Sequence, residues 1–207
     1  GERLGVYGEL ICRLTRSLAQ NLPIAEVFAV RDFTQKVSLK TIAQVGFGFA
    51  EGPRSQEILD TLTKTADSVG SPAAAAMLVC TWLQKDLGKW SPCGQFMENR
   101  RKIDELIYAE IRDRHENPSA DRTDILSMLM DSRTESGEAL SDQELRDELM
   151  ALLLAGHETT ATAMAWAMYW IHKEPDVKQK LLAELESLPT DASPTEIASL
   201  PYLSAVC

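Results

Sequence analysis

Apolar residues recur at helical spacing along almost the whole chain. Leu4, Tyr7, Leu10, Ile11, Leu14 and Leu18 predict a helix over residues 1–21, ended by Asn21 and Pro23. Residues 33–49 carry Val37, Ile42, Val45 and Phe49 amid Thr and Gln, predicting a second helix that stops near Gly52-Pro53. A third is predicted over 56–69 through Ile58, Leu59, Leu62 and Ala66, with Gly70 at its end and Pro72 beyond. Over 96–116, Ile103, Leu106, Ile107 and Ile111 share one face, while Arg, Lys and Glu form a solvated one; Asn117-Pro118-Ser119 breaks the pattern. A short helix comes next over 124–131, with Met128 and Met130 as core filler. Residues 133–137 read as a polar turn. Past residue 175 come a charged amphipathic helix over 176–187 and a loop with a helical turn from Pro194. There is no internal repeat and no alternating strand, so the expected class is all-α.

The longest element runs from Ser141 to Pro175. Ser141 and Glu144 form a capping-box pattern, and Lys173 near the far end suits the negative helix terminus. Roughly 30 residues at 1.5 Å each give a rod of about 45 Å. Its second half is apolar nearly all round, which predicts burial on most sides, with Trp166 and Trp170 as core packing. A polar island, Gly156-His157-Glu158-Thr159-Thr160, interrupts it. An unpaired buried carboxylate is costly, and glycine inside a helix costs about 1 kcal/mol against alanine. Ala155, Gly156 and Thr159 share a face through their spacings of three and four. The Thr159 hydroxyl is within reach of the Ala155 carbonyl one turn back, a bond that bends helices. The pattern therefore describes a shallow groove of small residues with an acid and an alcohol beside it.

Ala155-Gly156-His157-Glu158-Thr159-Thr160 resembles the central-helix motif of the cytochromes P450, (Ala/Gly)-Gly-x-(Asp/Glu)-Thr-(Thr/Ser). Two later stretches, Lys173 to Leu185 and Leu200 to Cys207, resemble the segments that come after that helix in the family. The resemblance covers the whole chain and implies the helical core of the P450 fold with one long central helix. It implies haem b (iron protoporphyrin IX) as cofactor, with Ala155, Gly156 and Thr159 against the ring. It further implies Glu158 and Thr159 as the residues that deliver protons during oxygen activation. The expected activity is a monooxygenase that inserts one atom of O2 into an apolar organic substrate, with electrons from a ferredoxin or reductase. The chain starts without Met and stops one turn into a helix, so residues 1–207 are expected to be a single incomplete domain, the middle portion of a P450. No metal ligand is expected within it. The family's axial cysteine sits in a loop Phe-x-x-Gly-x-x-x-Cys-x-Gly, whereas Cys207 comes after Tyr202-Leu203-Ser204-Ala205-Val206. The piece alone is expected to be inactive. Residues 71–92, rich in small and apolar side chains with Trp82 and Trp90, match a connector, a membrane-dipping element or a substrate-entry lid, and the resemblance places them at the family's roof over the substrate channel.

Composition narrows the remaining classes. The formal charge is −10 with no basic stripe, which argues against nucleic acid and anionic lipid. Cys12, Cys80, Cys93 and Cys207 have no metal or disulfide spacing, pointing to a reducing compartment, the cytoplasm. His157-Glu158 is not a zinc-protease motif, because position 161 is Ala rather than the second His. The apolar run 149–171 is long enough for a bilayer, but Glu158 near its centre opposes insertion, so no transmembrane segment is expected. The competing class is a non-enzymatic helical interaction protein carrying the motif by coincidence, or a degenerate P450 remnant. A Glu-x-x-Arg helix and a Cys-x-Gly loop encoded beyond Cys207 would decide against both.

Overall fold

A computed structural model describes residues 2–48, 56–57, 59–64, 80, 88, 91–119 and 122–207 of the chain. All secondary structure among these residues is helical, apart from one isolated antiparallel bridge between Arg133 and Ala139. The main helices are α1 (Glu2–Ala19), α2 (Val30–Phe47), α3 (Pro92–Glu116), α4 (Ile125–Asp131), α5 (Asp142–Lys173), α6 (Pro175–Glu186), α7 (Pro194–Ala198) and α8 (Pro201–Val206). Residues 56–57 and 59–64 are helical too, inside the predicted third helix. The rest of that helix, its Gly70 end and most of the 71–92 segment, including Trp82 and Trp90, lie outside the described residues. The fold class is all-α, as the periodicity indicates.

The chain divides into two compact units, 1–41 with 155–207, and 42–154. In the first, α1 ends where Asn21 turns its side-chain amide back to the Ser17 carbonyl at 3.0 Å. Leu14 is buried on its inner face. Gly8 meets Pro194 at the start of α7, where a β-carbon on Gly8 would stand 2.7 Å from the Pro194 ring. Any side chain there would push α1 and α7 apart. Proline opens α6, α7 and α8 in turn, at Pro175, Pro194 and Pro201, the position whose missing N–H a helix does not use. Ser193 and Glu196 cap α7 reciprocally. The start of α8 has no cap of its own. The Glu184 carboxylate of α6 fills that role, accepting from the backbone amides of Tyr202 and Leu203 at 2.8 Å each.

In the second unit the core forms from Ala43, Phe47, Ile103, Ile107, Ile111, Leu126, Leu145, Leu149, Met150 and Leu153. Ile103, Ile107 and Ile111 are the predicted apolar stripe of α3. α2 ends earlier than its sequence suggests. Gly48 takes a left-handed φ of 61° and donates its amide to the Gln44 carbonyl at 2.8 Å, so the stop precedes Gly52-Pro53. α3 begins earlier than expected, capped by Ser91, whose hydroxyl accepts from the Gly94 amide. Its charged face is only partly solvated. Glu110 and Arg114, four apart, are 6% and 5% exposed. Arg114 donates to Glu110 at 2.9 Å, to Asp124 at 2.5 Å, to Ser127 at 2.6 Å and to the Phe47 carbonyl. One guanidinium thus ties the end of α2, α3 and the start of α4. Met128, expected as core filler, is 42% exposed instead, because Leu126 is the residue α4 turns inward.

Candidate functional site

α5 is continuous for 32 residues, and the polar island lies inside it without unwinding. Its start is the predicted capping box. The Ser141 hydroxyl accepts from the Glu144 amide at 3.3 Å, and Glu144 accepts from the Ser141 amide at 2.8 Å. At the far end, helix continuity stops at Lys173, before the Pro175 ring would collide with the preceding turn.

Burial of the second half differs from expectation. Trp166, Tyr169 and Trp170 are about half exposed rather than in the core. The two tryptophans each meet Tyr169 edge-on, with centroids 5.6 and 5.3 Å away, and Lys173 lies over the Tyr169 and Trp170 rings. Apolar character all round this helix therefore does not mean burial all round it in this chain. The side that is buried carries Leu153, His157 and Ala161, four apart in succession.

Within the island the side chains take separate partners. Ala155 and Thr159 are exposed on one side and Gly156 is half-buried. The Thr159 hydroxyl donates to the Ala155 carbonyl at 2.5 Å, the back-bond expected from the sequence. Glu158 turns instead to α2. Arg31 donates to its Oε1, and Gln35 Nε2 donates to its Oε2 at 3.1 Å. The buried Ser38 hydroxyl donates to the His157 carbonyl at 3.0 Å. Burial pushes the Glu158 carboxyl up, but the hydrogen bond from Gln35, the hydrogen bond and charge of Arg31, and the field of His157 outweigh it. The group is held below the usual carboxylate range.

Arg31, Gln35 and Ser38 are the residues that reading the sequence misses. They lie on one stripe of α2 at spacings of four and three, a polar ladder that is visible in the sequence only once its partner helix is known. His157 is buried, 7% exposed.

The exposed face of Ala155, Gly156 and Thr159 carries nothing larger than threonine, so a flat ring fits against it. It offers no iron ligand. Among the described residues no cluster of three His, Cys, Asp or Glu could hold a metal, and none of the four cysteines lies on α5. No helix among the described residues is long and apolar enough to cross a membrane.

Comparison with known proteins bears on this geometry. The family model Cytochrome P450 matches residues 6–207. The protein assigned as cytochrome P450 137 in Mycobacterium tuberculosis is 32% identical over 185 residues, which is 89% of this chain and 38% of that protein. One assigned as cytochrome P450 135B1 in Mycobacterium bovis is 34% identical over 154 residues, 74% of this chain and 31% of that protein. This chain thus spans about a third of the length of these relatives. Among solved structures, the retinoic acid-bound cyanobacterial CYP120A1 superposes with a TM-score of 0.78 at 18% identity, covering 99% of this chain and 43% of that one. The haem domain of cytochrome P450DA gives a TM-score of 0.74 at 22% identity, covering 100% of this chain and 45% of that one.

Proposed function

The chain belongs to the cytochrome P450 family, a family of haem monooxygenase type, and on that premise we propose that residues 1–207 are the middle portion of a haem-thiolate monooxygenase. Its reaction inserts one atom of O2 into an apolar organic substrate and reduces the other to water, using two electrons from a ferredoxin or reductase and two protons. The cofactor, haem b, supplies oxygen binding and oxidising power when bound. What this chain supplies is a surface and a proton path.

Ala155 and Gly156 would hold the haem, because neither carries a bulky side chain. Thr159 keeps a proton on Oγ1, now donated to the Ala155 carbonyl, and a rotation about one bond would make it available to the bound group. Glu158 is ionised, 42% exposed on its side chain and adjacent in sequence, so it takes a proton from water and passes it toward Thr159. The observation that carries this reading is the unbroken helix presenting an open small-residue face and a tethered carboxylate one residue from a rotatable hydroxyl. The apolar character of residues 73–79 favours a hydrocarbon-rich substrate. A cytoplasmic location accords with cysteines spaced for neither a disulfide framework nor a metal.

In an enzyme chain that includes this segment and the cysteine loop, Thr159→Ala should divert reducing equivalents into hydrogen peroxide while substrate binding persists. Equal product per reductant in both forms would refute the role of Thr159. The 207-residue chain itself, given haem, reductant and CO, should not develop the thiolate band for which the family is named.

A further inference from the structure

The charged side of α3 is more than a solvated face. Gly94, Met97, Arg101 and Asp104 come at spacings of three and four along its first half, and with Gly88 and Arg100 they wall an open cavity of about 590 Å³. Small-molecule sites typically measure about 300–1,000 Å³, so the room suits a ligand of modest size. At Gly88 an added β-carbon would meet nothing within 4 Å, so that side of the cavity is space rather than packed atoms. Met97, 47% exposed, offers an unbranched apolar chain that adapts to what lies on it. Glu98 also belongs to the wall, and it takes Arg101, which donates to it at 2.9 and 3.1 Å and to Glu105 as well. Asp104 accepts from Arg146 of α5 at 2.8 Å, and this pair, 28% and 12% exposed, anchors the wall to a second helix. Arg100 is different. It is exposed and has no hydrogen bond or ion pair among the described residues.

We propose that this cavity binds an amphipathic carboxylate, with the acid group on Arg100 and the apolar body along Met97 and the glycines. A guanidinium is a permanent cation whose planar fork matches a carboxylate with two parallel bonds. The other charges of the wall already answer one another, so Arg100 sets the sign of the ligand. One guanidinium balances one negative charge. A doubly charged phosphate would bring an uncompensated charge close to Glu98 and Asp104, which selects a monoanion. An ammonium group would meet Arg100 as a like charge, and the carboxylates that could hold it have cations of their own. The site uses none of the residues of the small-residue face on α5 and holds with or without the monooxygenase reading.

The test uses the 207-residue chain with carbon-13 in its methionine methyl groups. Sodium decanoate, decanol and decylammonium are titrated in turn below their aggregation concentrations. The Met97 methyl signal, assigned through Met97→Leu, is followed by NMR, and circular dichroism checks that every form has the same helix content. Decanoate should move the Met97 signal to saturation and bind more tightly than the alcohol or the amine. Arg100→Gln should weaken decanoate binding by about ten-fold or more, the loss expected when a charge-assisted bond is removed, and leave decanol binding nearly unchanged. Arg100→Lys, which keeps the charge but not the fork, should lie between the two. Equal affinity for decanoate in Arg100→Gln and the unaltered chain would overturn the proposal, as would an amine that binds as tightly as the acid. So would a decanoate titration that moves the exposed Met128 methyl and leaves Met97 in place, since the ligand would then lie elsewhere on the surface. No haem is present in these measurements, so failure of the monooxygenase reading, seen as a loaded enzyme without a thiolate band, does not alter their outcome.

Discussion

Arg114 offers the sharpest energetic test of the fold. Its side chain is 5% exposed, and the two carboxylates it joins are 7% and 5% exposed. It also satisfies the Ser127 hydroxyl and the last carbonyl of α2, that of Phe47. Arg114→Met keeps most of the volume but takes the Arg114 cation away from Glu110 and Asp124, both buried carboxylates. Removing one member of a buried ion pair typically costs about 3–5 kcal/mol, since the remaining charge keeps its desolvation penalty and loses its compensation. Domains of ordinary stability have about 5–15 kcal/mol in total, so this change consumes a large share. With a urea slope of about 2 kcal/mol/M, the unfolding midpoint at neutral pH should fall by about 2 M. The same argument predicts that adding Glu110→Gln and Asp124→Asn to Arg114→Met restores part of the loss, because the buried charges are then gone. A midpoint shift under about 0.5 M for Arg114→Met, or a triple variant less stable than the single one, would refute the account of one cation compensating two buried acids.

Glu184→Ala should expose the first amides of α8. It removes two charge-assisted bonds at 2.8 Å, each worth about 1.5–3 kcal/mol at most, and water replaces part of that. Hydrogen exchange at Tyr202 and Leu203 should speed up by roughly ten-fold or more, for a net loss of about 1.4 kcal/mol, and unchanged exchange there would remove Glu184 as the cap. The capping glutamates predict a pH window. Glu144 is held below the usual range by the Ser141 amide and then its hydroxyl, Glu196 by the Ser193 hydroxyl and then its amide, both against the opposing effect of burial. Their folded values are depressed, so their contribution is complete above the ordinary glutamate pKa of about 4.3 and disappears as pH falls through the lowered values. Glu144→Gln and Glu196→Gln should therefore differ from the unaltered chain in melting temperature at neutral pH and converge with it in acid. A difference that persists unchanged in acid would contradict this.

How far the sequence reveals the structure depends on the range of the interaction. α5 was legible at both ends because its signals are local: Ser141 and Glu144 lie three apart, and Pro175 sits just past the last helical turn. The Thr159 back-bond to Ala155 was legible for the same reason. The end of α2 differs from the sequence reading because Gly48, between Phe47 and Phe49 and two residues after the helical Gly46, gives no local sign that it takes a left-handed conformation. Glu110 and Arg114 look like any exposed pair four apart until Asp124, in another element, draws them inward. Arg31 and Gln35 could not be linked to Glu158 because no period connects positions more than 120 residues apart. Trp166 and Trp170 show the reverse error, in which side-chain chemistry was taken to fix surroundings that it does not fix.

Pro175, Pro194 and Pro201 each stand at the head of a helix, and together they govern how the last part of the chain can move. A proline there leaves its own helix intact but prevents that helix from growing backward into the preceding residues. α6, α7 and α8 therefore cannot merge into one another or into α5 when packing loosens. Each ring also narrows the choices open to the unfolded chain, an advantage of about 0.4–1 kcal/mol per site where the native angle suits it. The corners of this region are bent in advance, so warming should melt its segments between fixed joints without straightening them.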